Sequence, residues 1–147
     1  MFSLYQIISL VIILIFSIIL SIQDIKNLTV GIYIQWLSIF SALICHIIFA
    51  RHEMWIFIIS SMILGTIYFC IRKITKEKLG PADVWFGFFQ GLFLHPVMIW
   101  VCLAIETVLA LCIENKKIGY KKFPFIPYMS AGLIGAYLIQ LFRGITF

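Results

Sequence analysis

Two aspartates, Asp24 and Asp83, stand at the edges of apolar segments in a chain that has only six acidic residues. Ionisable groups at membrane depth are costly, so each one is a functional hypothesis by default. Two carboxylates that share a proton can act as an aspartyl protease: one is the general base on a water, and the other polarises the scissile carbonyl. We therefore expect Asp24 and Asp83 to form a catalytic dyad.

The remaining acidic residues fit this chemistry less well. Glu53, Glu77 and Glu114 accompany basic residues in polar loops, where solvated charge is the ordinary explanation. Glu106 lies in the middle of an apolar segment, with no charged residue within a turn. We expect Glu106 and the nearby amide Gln90 to hydrogen-bond across helices or to line a polar cavity.

The composition places these residues in a membrane protein. Of the 147 residues, 63% are hydrophobic and 12% are charged, whereas soluble domains carry about 25% charged residues. Apolar runs of transmembrane length recur along the chain, and they do not alternate as barrel strands do. We predict an all-α polytopic fold, with residues 1–147 forming a single membrane-embedded domain.

Six segments are expected to span the membrane, at about residues 4–22, 30–50, 54–71, 81–94, 97–113 and 127–142. The fourth is short, because roughly 14 residues reach about 21 Å, less than the hydrocarbon core of about 30 Å. We expect the preceding loop to dip inward and carry Asp83 to a buried depth. Pro81 takes the favoured first position of this helix, so Asp83 is about the third residue.

The basic residues predict the orientation of the chain, because Lys and Arg concentrate in cytoplasmic loops. Nine of them follow the first, third and fifth segments, and two lie on the other side. The larger group is Lys26, Arg72, Lys73, Lys76, Lys78, Lys116, Lys117, Lys121 and Lys122, and the smaller is Arg51 and Arg143. Both termini are thus expected outside, with Asp24 and Asp83 at the cytoplasmic end. The net charge of +5 then needs no nucleic-acid partner.

Small residues predict where helices approach closely. Gly87 and Gly91 follow Asp83 at intervals of four, so the three residues lie on one helical face. A neighbouring helix is expected to pack against this face, next to Asp83. Ala131 and Gly135 form a second small pair in the sixth segment.

Three short motifs in this order resemble the type IV prepilin peptidases and archaeal preflagellin peptidases, which are membrane aspartyl proteases of the GxGD type. The first motif is Asp24-Ile25-Lys26-Asn27, after the first segment. The second is Gly80-Pro81-Ala82-Asp83, at the start of the fourth segment. The third is Phe123-Pro124-Phe125-Ile126-Pro127-Tyr128, at the entry to the sixth segment. Each motif is short, but with the order of the six segments and the spacing of the acidic residues the resemblance extends over most of the chain.

The resemblance implies that Asp24 and Asp83 are catalytic and that the chain cleaves a basic leader from pilin-like precursors at the cytoplasmic face. Gly80, Pro81, Ala82, Gly87, Pro124 and Pro127 would support the site. The chain is similar to short members without a methyltransferase domain. It differs from the family at Gly31, where many members have proline, and at Ala82, where the second glycine of the motif is expected.

The expected partners are a pilin-like precursor and membrane lipid, in the inner or plasma membrane of a prokaryote, without a cofactor, a metal or nucleic acid. Two other classes fit some of the residues. A non-catalytic scaffold or assembly factor would retain the fold and bind a precursor without cleaving it, as Ala82 in the motif suggests. A small transporter would use Glu106 and Asp24 as ion or proton sites, although the chain has no evident inverted repeat.

Overall fold

The computed structural model describes residues 2–114 and 124–144. Within them the chain forms six α-helices and no strand, which confirms the all-α prediction. The helices are α1 (Leu4–Asn27), α2 (Ile32–Phe49), α3 (Met54–Ile74), α4 (Pro81–Gly91), α5 (Pro96–Glu114) and α6 (Ile126–Phe142). Part of the predicted basic loop, with Lys116, Lys117, Lys121, Lys122 and the motif residue Phe123, lies outside the described residues.

Four of the described helices are long and apolar enough to cross a membrane, as the prediction of a helical membrane protein requires. They are α1, α2, α3 and the stretch Pro96–Ile113 of α5. The other two helices are shorter, with 17 residues in α6 and 11 in α4. The fourth helix is therefore even shorter than the segment predicted from hydropathy.

The first helix extends beyond its predicted end, so Asp24 lies in its last turn rather than after it. Ser3 begins the helix with a capping box, in which its hydroxyl and the Gln6 side chain bond each other's backbone N–H. Leu28 ends the helix in a left-handed conformation, and its N–H donates to the carbonyl of Asp24 at 2.9 Å. The helix thus continues through the polar residues after Ile22 and ends only where Leu28 caps it.

The start of α4 agrees with the prediction. Gly80 is extended, as is usual for a residue before proline. Pro81 opens the helix, and the Gly80 N–H donates to Asp83 Oδ2 at 2.9 Å. Asp83 thus caps its own helix at the third position, where a carboxylate is favourable.

The other end of α4 lies inside the helical bundle. After Gly91 the chain makes a tight turn, with the Phe93 N–H donating to the Gln90 carbonyl at 3.1 Å. The last carbonyls of a helix need partners, and buried side chains supply them here. His46 Nε2 of α2 donates to the Leu92 carbonyl, and Gln140 Nε2 of α6 donates to the Phe93 carbonyl at 3.2 Å.

The glycine face of α4 packs against α3, as the small residues predicted. A Cβ on Gly87 would collide with the ring of Tyr68. A Cβ on Gly91 would come within 2.6 Å of the Ser61 backbone nitrogen. The helix that approaches Asp83 along this face is thus α3, whereas Asp24 comes from α1.

Candidate active site

Asp24 and Asp83 line one cavity of about 360 Å³. Asp24 projects from the last turn of α1 and Asp83 from the first turn of α4, and each is 7% exposed. The wall of the cavity is otherwise mostly apolar or uncharged, and it is completed by Leu28, Thr29, Val30, Ile32, Gln35, Lys78, Gly80, Pro81, Ala82 and Trp85. Helices far apart in sequence therefore bring two carboxylates into one buried space.

Asp24 is held by the start of α6. The Ile126 N–H donates to Asp24 Oδ2 at 3.0 Å, and the Phe125 backbone also bonds this carboxylate. N–H groups in the first turn of a helix have no partner within the helix and favour a negative charge. Pro124 precedes this turn, and Pro127 sits at its second position, where a missing N–H costs nothing. The predicted proline motif thus shapes a binding site for the Asp24 carboxylate.

Asp83 is held by the N–H of Gly80, as described above, and the charge of Asp24 acts on it across the cavity. Two buried carboxylates that act on each other in this way favour a state in which only one of them is ionised. One group is then a base and the other an acid, which are the two roles that hydrolysis by an activated water requires.

Gln35 is a residue of this site that the sequence did not single out. It is 3% exposed in the first turn of α2, and its Nε2 donates to the Ala82 carbonyl at 2.8 Å. This bond connects α2 to the residue directly before Asp83. The only signal in the sequence is an amide near the start of an apolar segment.

The two departures from the family motif cause no backbone strain. Among the described residues, φ is positive at Leu28, Lys76, Glu77 and Gly144, and Ala82 is not one of them. Ala82 thus has a backbone conformation that any residue adopts. Gly31 caps α2 with φ of −62°, which is also the value that proline imposes. As a glycine it keeps an N–H, which donates to Gln23 Oε1 at 3.2 Å.

Gln90 and Glu106 do not line the aspartate cavity. They are 0% and 1% exposed and belong to a buried cluster that joins four helices. Glu106 accepts hydrogen bonds from Gln90 Nε2 at 2.6 Å, from Cys102 Sγ at 3.1 Å and from the Tyr68 hydroxyl. Of the two expectations for this pair, the structure shows hydrogen bonding across helices.

The small residue that makes room for this cluster is Gly132, which lies between Ala131 and Gly135 in α6. A Cβ on Gly132 would come within 2.9 Å of Glu106 Oε1. Ala131 is exposed, and a Cβ on Gly135 would meet only the Ile105 side chain at 3.1 Å. The spacing of four residues between Ala131 and Gly135 does not tell which side of the helix faces its neighbour.

Two buried carboxylates in one cavity are a minimal set for acid–base hydrolysis, and backbone N–H groups fix both of them. Comparison of the chain with protein-family models, with curated proteins and with solved structures finds no match in any of the three.

Proposed function

We propose that this chain is a membrane aspartyl endopeptidase that removes a basic leader from type IV pilin-like precursors. Asp24 and Asp83 share a proton and activate the attacking water. All six helices lie in the inner or plasma membrane of a prokaryote, with both termini outside and the dyad near the cytoplasmic face. The excess of Lys and Arg in the loops at that end supports this orientation.

One observation carries the proposal: the first and fourth helices bring two buried carboxylates to the wall of one cavity. Burial of an ionisable residue within a membrane costs free energy, so such residues commonly have a functional role. Each carboxylate is also held by a backbone N–H, which fixes its position. Such a pair of carboxylates would suit several kinds of hydrolase. The resemblance of the three motifs to the prepilin peptidases favours a peptidase among them.

The test is co-expression with a precursor that has a basic leader, a small residue at the cut and an apolar helix after it. Asp24→Asn and Asp83→Asn should each abolish removal of the leader, because asparagine keeps the size of the side chain but cannot take up the proton of a water. Glu77→Gln is the matched control. Its side chain is 69% exposed and pairs with Arg72 at 3.5 Å, so cleavage should continue. Normal processing by either aspartate variant would exclude the dyad.

The backbone tethers of the two aspartates also favour a second candidate, a non-catalytic scaffold. Asp24 caps α6 and Asp83 caps α4, and capping alone is a structural role. A scaffold would bind the precursor in a stable complex, without cleavage by the unmodified chain. Asparagine retains an acceptor oxygen, so both asparagine variants of a scaffold would still retain the precursor in a pull-down.

A further inference from the structure

Gln90 lies on the same face of α4 as Asp83, about two turns further along the helix. Its side chain is fully buried at 0% exposure. The Gln90 Nε2 group donates to Glu106 Oε1 of α5 at 2.6 Å and to the Met129 carbonyl of α6 at 2.7 Å. A single amide therefore binds the helix that carries Asp83 to two neighbouring helices.

The bond to Met129 connects Gln90 with the other aspartate. Met129 lies in the first turn of α6, three residues after Ile126. The Ile126 N–H donates to Asp24 Oδ2 at 3.0 Å. One continuous path thus runs from Asp24 through the first turn of α6 to Gln90, and along α4 to Asp83.

Glu106 holds the Gln90 amide in place from α5. It also accepts from Cys102 Sγ, one turn earlier in α5, at 3.1 Å and from the Tyr68 hydroxyl of α3. The Tyr68 ring covers Gly87, which lies one turn from Asp83. The position of α4 is therefore set from α3, α5 and α6 by one connected group of hydrogen bonds, and such networks hold a single arrangement better than separate contacts do.

We infer that Gln90 is a positioning residue that, together with Glu106, sets the separation of Asp24 and Asp83. The consequence for catalysis rests on the proposed peptidase function, whereas the geometric consequence does not. Reacting groups must be held closely, and a displacement of about 1 Å can lower the rate by about 100-fold.

Gln140 provides a matched control for Gln90. It is also a fully buried amide, and its two hydrogen bonds are both to backbone groups: Nε2 donates to the Phe93 carbonyl at 3.2 Å, and Oε1 accepts from the His95 N–H at 2.8 Å. It acts just beyond the end of α4, at Phe93 and His95, and so further along the chain from Asp83 than Gln90. Gln90→Met and Gln140→Met remove similar numbers of hydrogen bonds and keep the length of the side chain.

The first measurement is cleavage of the precursor described above by purified protein. Gln90→Met should lower kcat by about 10- to 100-fold and leave KM within about twofold, because the dyad is misaligned while the precursor still binds. Gln140→Met should reduce Tm by a similar amount without a comparable loss of kcat. An equal loss of kcat in the two variants would show that Gln90 has only a structural role, and this would overturn the inference.

The second measurement does not need peptidase activity. Cysteines at both aspartate positions (Asp24→Cys with Asp83→Cys) are cross-linked with bis-methanethiosulfonates of graded length, after Cys70→Ser and Cys112→Ser remove the exposed native thiols. Adding Gln90→Met should change the lengths that react, and adding Gln140→Met should not. An unchanged pattern with Gln90→Met would overturn the inference.

If the unmodified chain cleaves no precursor, the proposed function fails and the cross-linking pattern alone decides the role of Gln90. If Gln90→Met does not fold, Gln90→Asn replaces it in both measurements. Its shorter side chain cannot reach Glu106 and Met129 together, so the same changes are expected. The inference would be contradicted if Gln90→Asn cleaved the precursor at the normal rate and, in the double-cysteine protein, left the cross-linking pattern unchanged.

Discussion

The side-chain amide of Gln35 donates to the backbone carbonyl of Ala82 at 2.8 Å. Ala82 directly precedes Asp83, so α2 holds α4 at the point where the carboxylate leaves the helix. At the other end of the same two helices, His46 donates to the carbonyl of Leu92. The two contacts show that α2 and α4 run parallel and are fastened to each other at both ends of α4.

Replacement of Gln35 by methionine should loosen the start of α4. The Gln35→Met variant loses one buried hydrogen bond, which costs about 1 kcal/mol in the free energy of unfolding. We expect the rate of leader removal to fall about 10-fold, since the backbone next to Asp83 is no longer held. Gln23→Met is the control, because Gln23 bonds only the exposed N–H of Gly31 at the same end. If both variants cleave at the rate of the unmodified chain, Gln35 does not position Asp83.

Gly91→Ala should be one of the most destabilising small changes in the chain. The new Cβ would come within 2.6 Å of the Ser61 backbone nitrogen, and backbone cannot move aside as the end of a side chain can. Overpacking of this kind costs about 1–3 kcal/mol, which thermal unfolding in detergent should detect as a lower Tm.

Gly135→Ala is the matched control for that substitution. Its Cβ would meet only Ile105 Cδ1 at 3.1 Å, which is the end of a flexible side chain. Alanine is also a better helix former than glycine by about 1 kcal/mol. We expect Tm to stay the same or to rise, and a larger loss in Gly135→Ala than in Gly91→Ala would contradict the packing of α3 on α4.

Ala82→Gly should not increase cleavage, although it restores the glycine of the GxGD motif. Ala82 is not among the residues with positive φ, so its Cβ causes no strain that glycine would relieve. Glycine in a helix is less stable than alanine by about 0.5–1 kcal/mol, so a slightly lower Tm is expected, with the rate of leader removal within about twofold. A large gain in rate would show that Ala82 impairs the site.

His46→Phe should destabilise the buried end of α4. Phenylalanine keeps the stacking on Phe57, whose ring centroid is 4.6 Å from that of His46. It loses the donor to the Leu92 carbonyl and the acceptor for the Tyr5 hydroxyl. Leaving the buried Leu92 carbonyl without its His46 donor costs about 1–3 kcal/mol. Hydrogen exchange at residues 92–94 should become faster, whereas His52→Phe, at an exposed position, should leave it unchanged.

Asp24 and Asp83 are predictable candidates because acids are rare in apolar segments and each of the two belongs to a short motif. The helix start at Pro81 was equally predictable, since proline and the acidic third residue are local signals. The order and approximate position of the six helices followed from hydropathy. Each of these inferences depends on residues that are close together in the chain.

The contacts that fix the site could not be predicted in the same way. Gln35 and Ile126 act through backbone or side-chain groups of helices distant in sequence, and no local pattern specifies such partners. The sequence predicts that the fourth segment ends near residue 94, but α4 ends at Gly91, for the same reason. Leu92 and Phe93 continue the apolar pattern, and only buried partners from α2 and α6 allow the chain to leave the helix there.

The buried end of α4 also constrains the order in which the protein is assembled. In hydrocarbon, each backbone carbonyl without a partner costs several kcal/mol. One of the donors that satisfy this end, Gln140, belongs to the last helix of the described chain. We therefore expect α4 to reach its final position only after α6 has been made and has packed beside it.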